Sequence, residues 1–361
     1  MFAHVAESST PRVDVTRPKD SVTPSMPRVA VISLGGTIAS SATPGVSGVT
    51  PRLDATDLLS GVGAVEEIAS IDARAFRLVP SSDLSLSDVT SLVGEIHARL
   101  DEGAQGVVVT QGTDTLEEVA FALDLLVRRD EPVVVTGAMR HASDAGADGP
   151  ANLLDALRVA AFPAARGLGA LVVFNGEIHA ARYVRKTHAT STATFRSTSL
   201  GPLGWVSEGH VRLGFSLPRW PDLNVSLEPP APVALISASL GDSLALLDHV
   251  RAAGYRGVVV EALGGGHVPS RALERLEKLA REIPVVLASR TGAGETLTST
   301  YRFAGSEIDL LARGLFGAGA LDARKARILL SVLLGADTSI DGCRRAFVEV
   351  HDAMFRSNVE H

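Results

Sequence analysis

The chain has 361 residues and a formal net charge of −7, with 45% hydrophobic residues. That length accommodates two separate cores, and an acidic balance without a basic stripe argues against nucleic acid as a partner. A single cysteine, Cys343, excludes an intrachain disulfide framework and a CxxC metal site, and no apolar run is long enough to span a membrane.

The first 26 residues are rich in Pro, Ser and Thr and lack the apolar segment of a signal peptide, so a disordered leader on a soluble, cytoplasmic protein is expected. Arg28 to Leu34 reads as a buried strand, followed at once by Gly35-Gly36-Thr37-Ile38-Ala39-Ser40. The two glycines permit positive φ or a close backbone approach, and they set the Thr37 hydroxyl at a strand end. Neither GxGxxG nor GxxxxGK[ST] is present, so this is not a phosphate loop; a tight turn with Thr37 bonded locally is the plainer alternative. Ser41 to Pro51 is small, polar and of a length used for lids. A helix over 54–60, a strand near Phe76–Pro80 and the polar cluster Ser81-Ser82-Asp83 follow. Ser85 and Asp88 then open a helix as a capping box.

Val107 to Val109 has the β-branched run of a strand buried on both faces, and Leu116, Val119, Ala120, Leu123 and Val127 recur at helical spacing. Between them, Thr110-Gln111-Gly112-Thr113-Asp114-Thr115 turns from strand to helix at the edge where open α/β sheets bind ligands. Thr115 and Glu118 fit a capping box, which accounts for one polar side chain but not for Thr, Asp and Thr in succession. A strand within 131–139, a helix from Asp148-Gly149-Pro150 to Phe162 and a strand at 169–175 continue the alternation of a parallel sheet.

Residues 178–199 break that pattern and read as a long hairpin or extended arm. Lys186 lies on it, one of four lysines in the chain (19, 186, 278 and 325). A buried ammonium can be made to release its proton where a guanidinium cannot, although scarce lysine is also what genomic composition produces. Residues 217–232 carry five prolines and read as a linker. Beyond it we expect a strand at 233–237, a helix at 243–253 closed by Gly254, a strand at 257–261, a helix at 270–281 and a strand at 284–288. Helices at about 322–334 and 340–356 finish the chain. Two Gly-rich loops, 261–269 with His267 and 288–295 with Glu295, are either turns or substrate holders. The expected architecture is two α/β domains. The larger, 27–216, has a mostly parallel sheet and a β-hairpin arm; the smaller, 233–361, has a parallel sheet. Ten histidines show no HExxH spacing, so neither a metal site nor a cofactor is expected.

Leu34-Gly-Gly-Thr-Ile-Ala39 and Thr110-Gln-Gly-Thr-Asp-Thr-Leu-Glu-Glu118, in that order and spacing, resemble the two signature motifs of bacterial-type L-asparaginases. Asp148-Gly-Pro-Ala-Asn-Leu153, Lys186-Thr187 with Ala193-Thr-Phe195, and Leu321-Asp-Ala-Arg-Lys-Ala-Arg327 fit the same family, and the resemblance covers roughly residues 28 to 356. It implies an amidohydrolase that converts L-asparagine to L-aspartate and ammonia without a cofactor, as a homodimer or homotetramer. Thr37 is then the nucleophile, and Thr113, Asp114 and Lys186 form a Thr–Lys–Asp triad. Asp114 also anchors the substrate ammonium, Ser81 binds the α-carboxylate, and Gly36, Ser82 and Gly112 complete the pocket. His267 and Glu295 are expected from a second copy, with Glu307 or Tyr301 as alternatives to Glu295.

The chain departs from the family in three places. Ser40–Pro51 has no Tyr for the lid, only Val49-Thr50 near where it would fall. Ser82 stands where many relatives have Gln, and His267 where they have Asn. These departures leave open an amidase preferring L-glutamine or another small amide, and a non-catalytic amino-acid-binding sensor.

Overall fold

β1 (Arg28–Ser33) is an apolar run with all but its first residue buried, and it ends at the paired glycines. The computed structural model describes residues 26–42, 49–51, 55–63 and 65–355; the expected leader and most of the expected lid lie outside them. A 3-10 turn at Thr37–Ala39 precedes β2 (Ser40–Ala42), which pairs antiparallel with β3 (Val49–Pro51). α1 (Ala55–Ser60) leads to β4 (Ser70–Ala75), parallel to β1 along its length. The alternation continues through α2 (Leu86–Asp101), β5 (Gly106–Thr110), α3 (Leu116–Leu126), β6 (Val133–Thr136), α4 (Gly149–Ala160) and β7 (Ala170–Phe174). β8 (Glu177–Ala180) then turns back antiparallel to β7. β9 (Val184–Lys186) and β10 (Phe195–Ser197) form a separate antiparallel hairpin, the expected arm, and β11 (Gly204–Ser207) with β12 (His210–Leu213) closes the sheet's far edge.

The eight-stranded sheet runs β12-β11-β8-β7-β6-β5-β1-β4, with β4, β1, β5, β6 and β7 parallel. From β1 the chain steps to β4 on one side and then crosses to β5 on the other. Strand order therefore reverses between β1 and β5, and the crevice beyond their carboxyl ends is the place where doubly wound sheets bind ligands. The register pairs Ser33 with Thr110, so Thr37 and Thr113 lie three or four residues past the same rung.

The second sheet, β13 (Val233–Ser237), β14 (Gly257–Ala262), β15 (Val285–Ser289) and β16 (Phe316–Gly317), is parallel throughout and in sequence order. α5 (Leu273–Ala280), α6 (Glu307–Ala312), α7 (Ala323–Gly335) and α8 (Ile340–Met354) accompany it. α3 is buried on every side apart from the partly exposed Glu118, with Glu117 and Asp124 among its buried residues. It packs against α2, β6, β7 and α7, and α7 also lies on β13, β14 and β15. One apolar core thus runs from the first sheet through α7, while a smaller one lies between the second sheet and α5.

The expected fold class, two α/β domains with these sheets and this arm, is the one observed. Several elements fall elsewhere. The strand expected near Phe76–Pro80 is at Ser70–Ala75, because β4 is an edge strand whose Asp72 serves Arg28 (3.3 Å) and Arg74 (3.5 Å) rather than the core. The helix expected at 243–253 is reduced to a 3-10 turn at Ala245–His249, entered from Leu244 in the left-handed region (φ 53°), from which an α-helix cannot start regularly. The helix expected at 270–281 begins as a 3-10 turn before α5. The β11–β12 pair, α6 and β16 were not anticipated. The Ser85–Asp88 capping box is present, Ser85 Oγ accepting from Asp88 N at 3.2 Å and Asp88 Oδ2 accepting from Ser85 N at 3.0 Å.

Candidate active site

Three loops meet at the reversal between β1 and β5. Leu34 N donates to Thr110 O (2.8 Å), and Val79 N donates to Leu34 O (3.3 Å). Gly36 has φ 83° and ψ −169°, a conformation open in practice only to glycine. A Cβ there would lie 2.0 Å from Gly112 N, and a Cβ on Gly112 would lie 2.7 Å from Ser81 Oγ. The glycines of the two motifs are therefore what lets the loops touch through their main chains. Thr115 does not cap α3 as its sequence suggested; its Oγ1 donates to Ser81 O (2.9 Å), tying the β5 loop to the Ser81–Asp83 turn. The carbonyl of Ser81 lies within reach and takes the hydroxyl that would otherwise turn to the helix.

Thr37 follows Gly36 at the start of the 3-10 turn and is half-buried. Its hydroxyl has no hydrogen-bond partner among the described residues. Ser40 Oγ donates to Gly36 O (2.8 Å) and closes the turn. The N–H groups of Thr37, Gly112 and Thr113 likewise find no internal acceptor among the described residues. Such donors at strand ends suit an anion or a developing oxyanion.

Thr113 is buried, and Lys186 reaches it from the arm. Lys186 Nζ lies 2.9 Å from Thr113 Oγ1 and 2.7 Å from Asp114 Oδ1. The Asp114 carboxylate is 73% exposed, so the ion pair is worth about 0–1 kcal/mol and serves orientation more than stability. Glu117 in the first turn of α3 is buried and accepts the Lys186 backbone N–H on Oε2. Sequence reasoning passed over Glu117; the one available signal was an acidic residue inside an apolar helical run.

Gly36, Thr37, Ser81, Gly112, Thr113, Asp114 and Lys186 are thus brought together. Ser82 sits beside Ser81 on the rim, exposed, with its hydroxyl turned to Asp83 (3.4 Å). His267 and Glu295 are not joined to this group by any hydrogen bond or ion pair. His267, in the loop after β14, bonds through Nε2 to Glu307 Oε2 (3.1 Å) and lies edge-on to Tyr301 and Phe303, whose side chains are exposed. Burial pushes the Glu307 carboxyl up, but N–H donation from Tyr301, Glu307 itself and Thr300, with His267, outweighs it and leaves the group below the usual range. Glu295 instead pairs with His351 of α8 (3.2 Å). The Asp148-Gly-Pro-Ala-Asn-Leu153 motif is a clamp. Asp148 accepts from the N–H groups of Met139 and Arg140, and Asn152 links Gly137 O (3.0 Å) to Asn175 N (2.9 Å), fixing the ends of β6 and β7. Among the described residues no group of three His, Cys, Asp or Glu side chains is placed to hold a metal ion, and no helix is long and apolar enough to cross a membrane.

Hydroxyls, an amine and a carboxylate gathered about unpaired N–H groups at a switch point are groups suited to hydrolytic chemistry. Residues 28–218 match the family described as asparaginase, N-terminal, and residues 232–347 match the glutaminase/asparaginase C-terminal domain. A probable L-asparaginase of Deinococcus radiodurans is 37% identical over 335 residues, 90% of this chain and 98% of that one. A probable periplasmic L-asparaginase of Haemophilus influenzae is 34% identical over 317 residues, 86% of this chain and 89% of its own. The crystal structure of a probable cytoplasmic L-asparaginase from Campylobacter jejuni superposes with a TM-score of 0.80 at 28% identity, covering 90% of this chain and 99% of that one. The chain belongs to the asparaginase family.

Proposed function

We propose that this protein hydrolyses L-asparagine to L-aspartate and ammonia, with Thr37 as nucleophile and Thr113, Lys186 and Asp114 as the proton-handling group. The observation that carries the reading is the contact of Lys186 Nζ with both Thr113 Oγ1 (2.9 Å) and Asp114 Oδ1 (2.7 Å), beside a Thr37 hydroxyl that no described residue engages. Thr37 Oγ attacks the side-chain amide carbon, and its proton passes to the departing nitrogen, which leaves as ammonia. Water then cleaves the resulting ester, releasing aspartate and restoring the hydroxyl. Lys186 in its amine form accepts a proton from Thr113, or through it from water, in the role of a general base. The free N–H groups of Thr37, Gly112 and Thr113 hold the oxyanion. Asp114, exposed on the rim, anchors the substrate ammonium, and the buried Ser81 hydroxyl receives its α-carboxylate.

The proposal extends to assembly and location. The division into 27–216, a linker at 217–232 and 233–361 follows the two sheets and the proline run between them. His267 and Glu295 belong to the site of a second copy in a homodimer or homotetramer, since neither engages the threonine–lysine group of its own chain. Glu307 is already committed to His267 and to the N–H groups of Thr300 and Tyr301, so exposed Tyr301 is the alternative to Glu295. A cytoplasmic location accords with the Campylobacter neighbour and not with the Haemophilus relative, and cell fractionation decides it.

Ammonia release from purified protein with L-asparagine, L-glutamine and D-asparagine as separate substrates tests the function. We expect kcat/KM for L-asparagine to exceed that for L-glutamine at least about tenfold, since one methylene in a fitted pocket costs ~1–3 kcal/mol. Equal or reversed efficiencies reassign the protein to a glutamine-preferring amidase. Binding without ammonia release reassigns it to a sensor.

A further inference from the structure

We propose that Lys325 and Glu117 are positioning residues for Lys186, gripping the main chain of β9 from opposite sides so that the reactive amine reaches Thr113. The inference rests on the reading of Lys186 as proton acceptor. The Lys325 side chain is 1% exposed, although it carries an ammonium and lies on α7, far along the chain from the arm. Its Nζ donates to Val184 O (2.8 Å) and to Asp322 Oδ2 (2.7 Å). Asp322 is itself fixed as the N-cap of α7, accepting from the N–H groups of Arg324 (3.0 Å) and Lys325 (3.2 Å), and it lies 4.0 Å from Arg185 Nε. Two residues further along β9, the Lys186 N–H donates to Glu117, whose other oxygen is 3.7 Å from Arg324 Nη1. The main chain of the arm is therefore held at two points, Val184 by Lys325 and Lys186 by Glu117, with the Arg185 side chain only loosely paired to Asp322 between them.

An ammonium is an expensive way to satisfy one carbonyl in a packed core. Burying a charge is tolerable where it is paired, and here the ammonium meets one carboxylate and one carbonyl, acceptors for two of its three N–H groups. Among the described residues the arm has no strand neighbour apart from its own hairpin mate, so ladder hydrogen bonds to the main sheets do not fix its register. The exposed Asp114 contact is too weak to do so. α7 docks on α3 and on the second sheet at once, so this grip ties the amine of the first domain to the second domain of the same chain.

The test separates positioning from bulk stability. Lys325→Met alone leaves Asp322 without its buried counter-charge and is expected to lower the melting temperature. In Asp322→Asn/Lys325→Met both charges are gone, the Asn oxygen still caps α7, and the melting temperature is expected to recover towards that of the parent. The carbonyl of Val184 remains unheld, so kcat for ammonia release is expected to stay about 10–100-fold low, the effect of ångström-scale misplacement, with KM within about threefold. Recovery of kcat along with the melting temperature overturns the proposal for Lys325. From the other side, Glu117→Gln keeps an acceptor for the Lys186 N–H and is expected to retain most of kcat, whereas Glu117→Ala loses it. Equal losses in the two variants, or loss in neither, overturn the proposal for Glu117; should the double variant not fold, a folded Lys325→Met with the kcat of the parent overturns that for Lys325. A parent protein that releases no ammonia from any of the three amides refutes the proposed function instead, and is recognised before any variant is made.

Discussion

Gly36→Ala is the sharpest test of how the site is built. The added Cβ would lie 2.0 Å from Gly112 N and 2.2 Å from Gly112 Cα, where real Cβ contacts essentially never fall below 3.0 Å. The two motif loops must therefore part by about 1 Å. The backbone at φ 83° and ψ −169° adds ~1–3 kcal/mol of strain for any residue with a side chain. A displacement of that size between reacting groups costs about 10²-fold in rate, so kcat for ammonia release should fall by about that factor. The strain should lower the melting temperature by several degrees in a chain of this size without unfolding it at 25 °C. Gly35→Ala serves as a graded control, because its Cβ would meet Val79 N and O at 2.8 Å, a much smaller overlap with a different loop. It should cost less activity than Gly36→Ala. A folded Gly36→Ala protein with kcat within threefold of the parent would refute the claim that the main-chain approach of these loops sets the geometry.

Lys186→Arg keeps the positive charge but offers a guanidinium, whose pKa above about 12 bars it from acting as a base; kcat should fall about 10²–10⁴-fold while calorimetry shows substrate binding little changed. Near-normal turnover would mean that charge alone suffices. Mixing a Thr37→Ala chain with a His267→Ala chain should restore part of the activity if sites are completed between copies, and a fully active monomer at assay concentration would exclude this. Asp114→Asn should leave the melting temperature within about a degree, since the exposed pair contributes ~0–1 kcal/mol, yet raise KM for L-asparagine; an unchanged KM removes Asp114 from substrate binding. Burial, with a smaller contribution from Arg196, pushes His179 down to about 4, while Glu177 at 3.3 Å is already engaged by Arg196 (3.1 Å) and does little to reverse it. The folded state thus holds His179 neutral, so its stability contribution is complete above pH 6.5 and is lost as pH falls towards 4, amounting to about 3 kcal/mol. In His179→Gln the melting temperature should fall less steeply across that window, and an unchanged slope would contradict the assignment.

What could be read in advance was whatever leaves a local trace. Paired glycines after an apolar run mark a strand end with unusual backbone, as Gly35 and Gly36 do, while the single Gly112 marks a close approach to Ser81. The scarcity of lysine, four in an arginine-rich chain, marked Lys186. The edge strand β4 left no such trace, because Asp72 and Arg74 face solvent and charges of the neighbouring elements. Thr115 carried a correct capping pattern that a tertiary contact overrode, Ser81 O taking its hydroxyl. Glu117 and Lys325 were hidden for a related reason. Each sits in the first turn of a helix, where charged residues are ordinarily solvated, and each becomes buried only because α7 docks against α3 with the arm beside them.

The site has a buried half and an open half, and the division bears on how its charges act. Thr113 and Ser81 are enclosed with the loops that carry them, whereas Asp114 faces water. At about 4 Å an ion pair is worth ~1 kcal/mol in bulk water and ~4 kcal/mol where the effective dielectric is near 20. A ligand laid over Asp114 excludes water from it, so the carboxylate acts more strongly on a bound cation once the ligand has arrived than before. In the proposed reading a small zwitterion supplies the matching charges in one molecule: its ammonium replaces the water on Asp114, and its carboxylate turns towards Ser81. A neutral amide of the same size would strip that water without replacing it. The open carboxylate is therefore a reason to expect discrimination in favour of free amino acids over simple amides, arising from desolvation rather than from pocket shape.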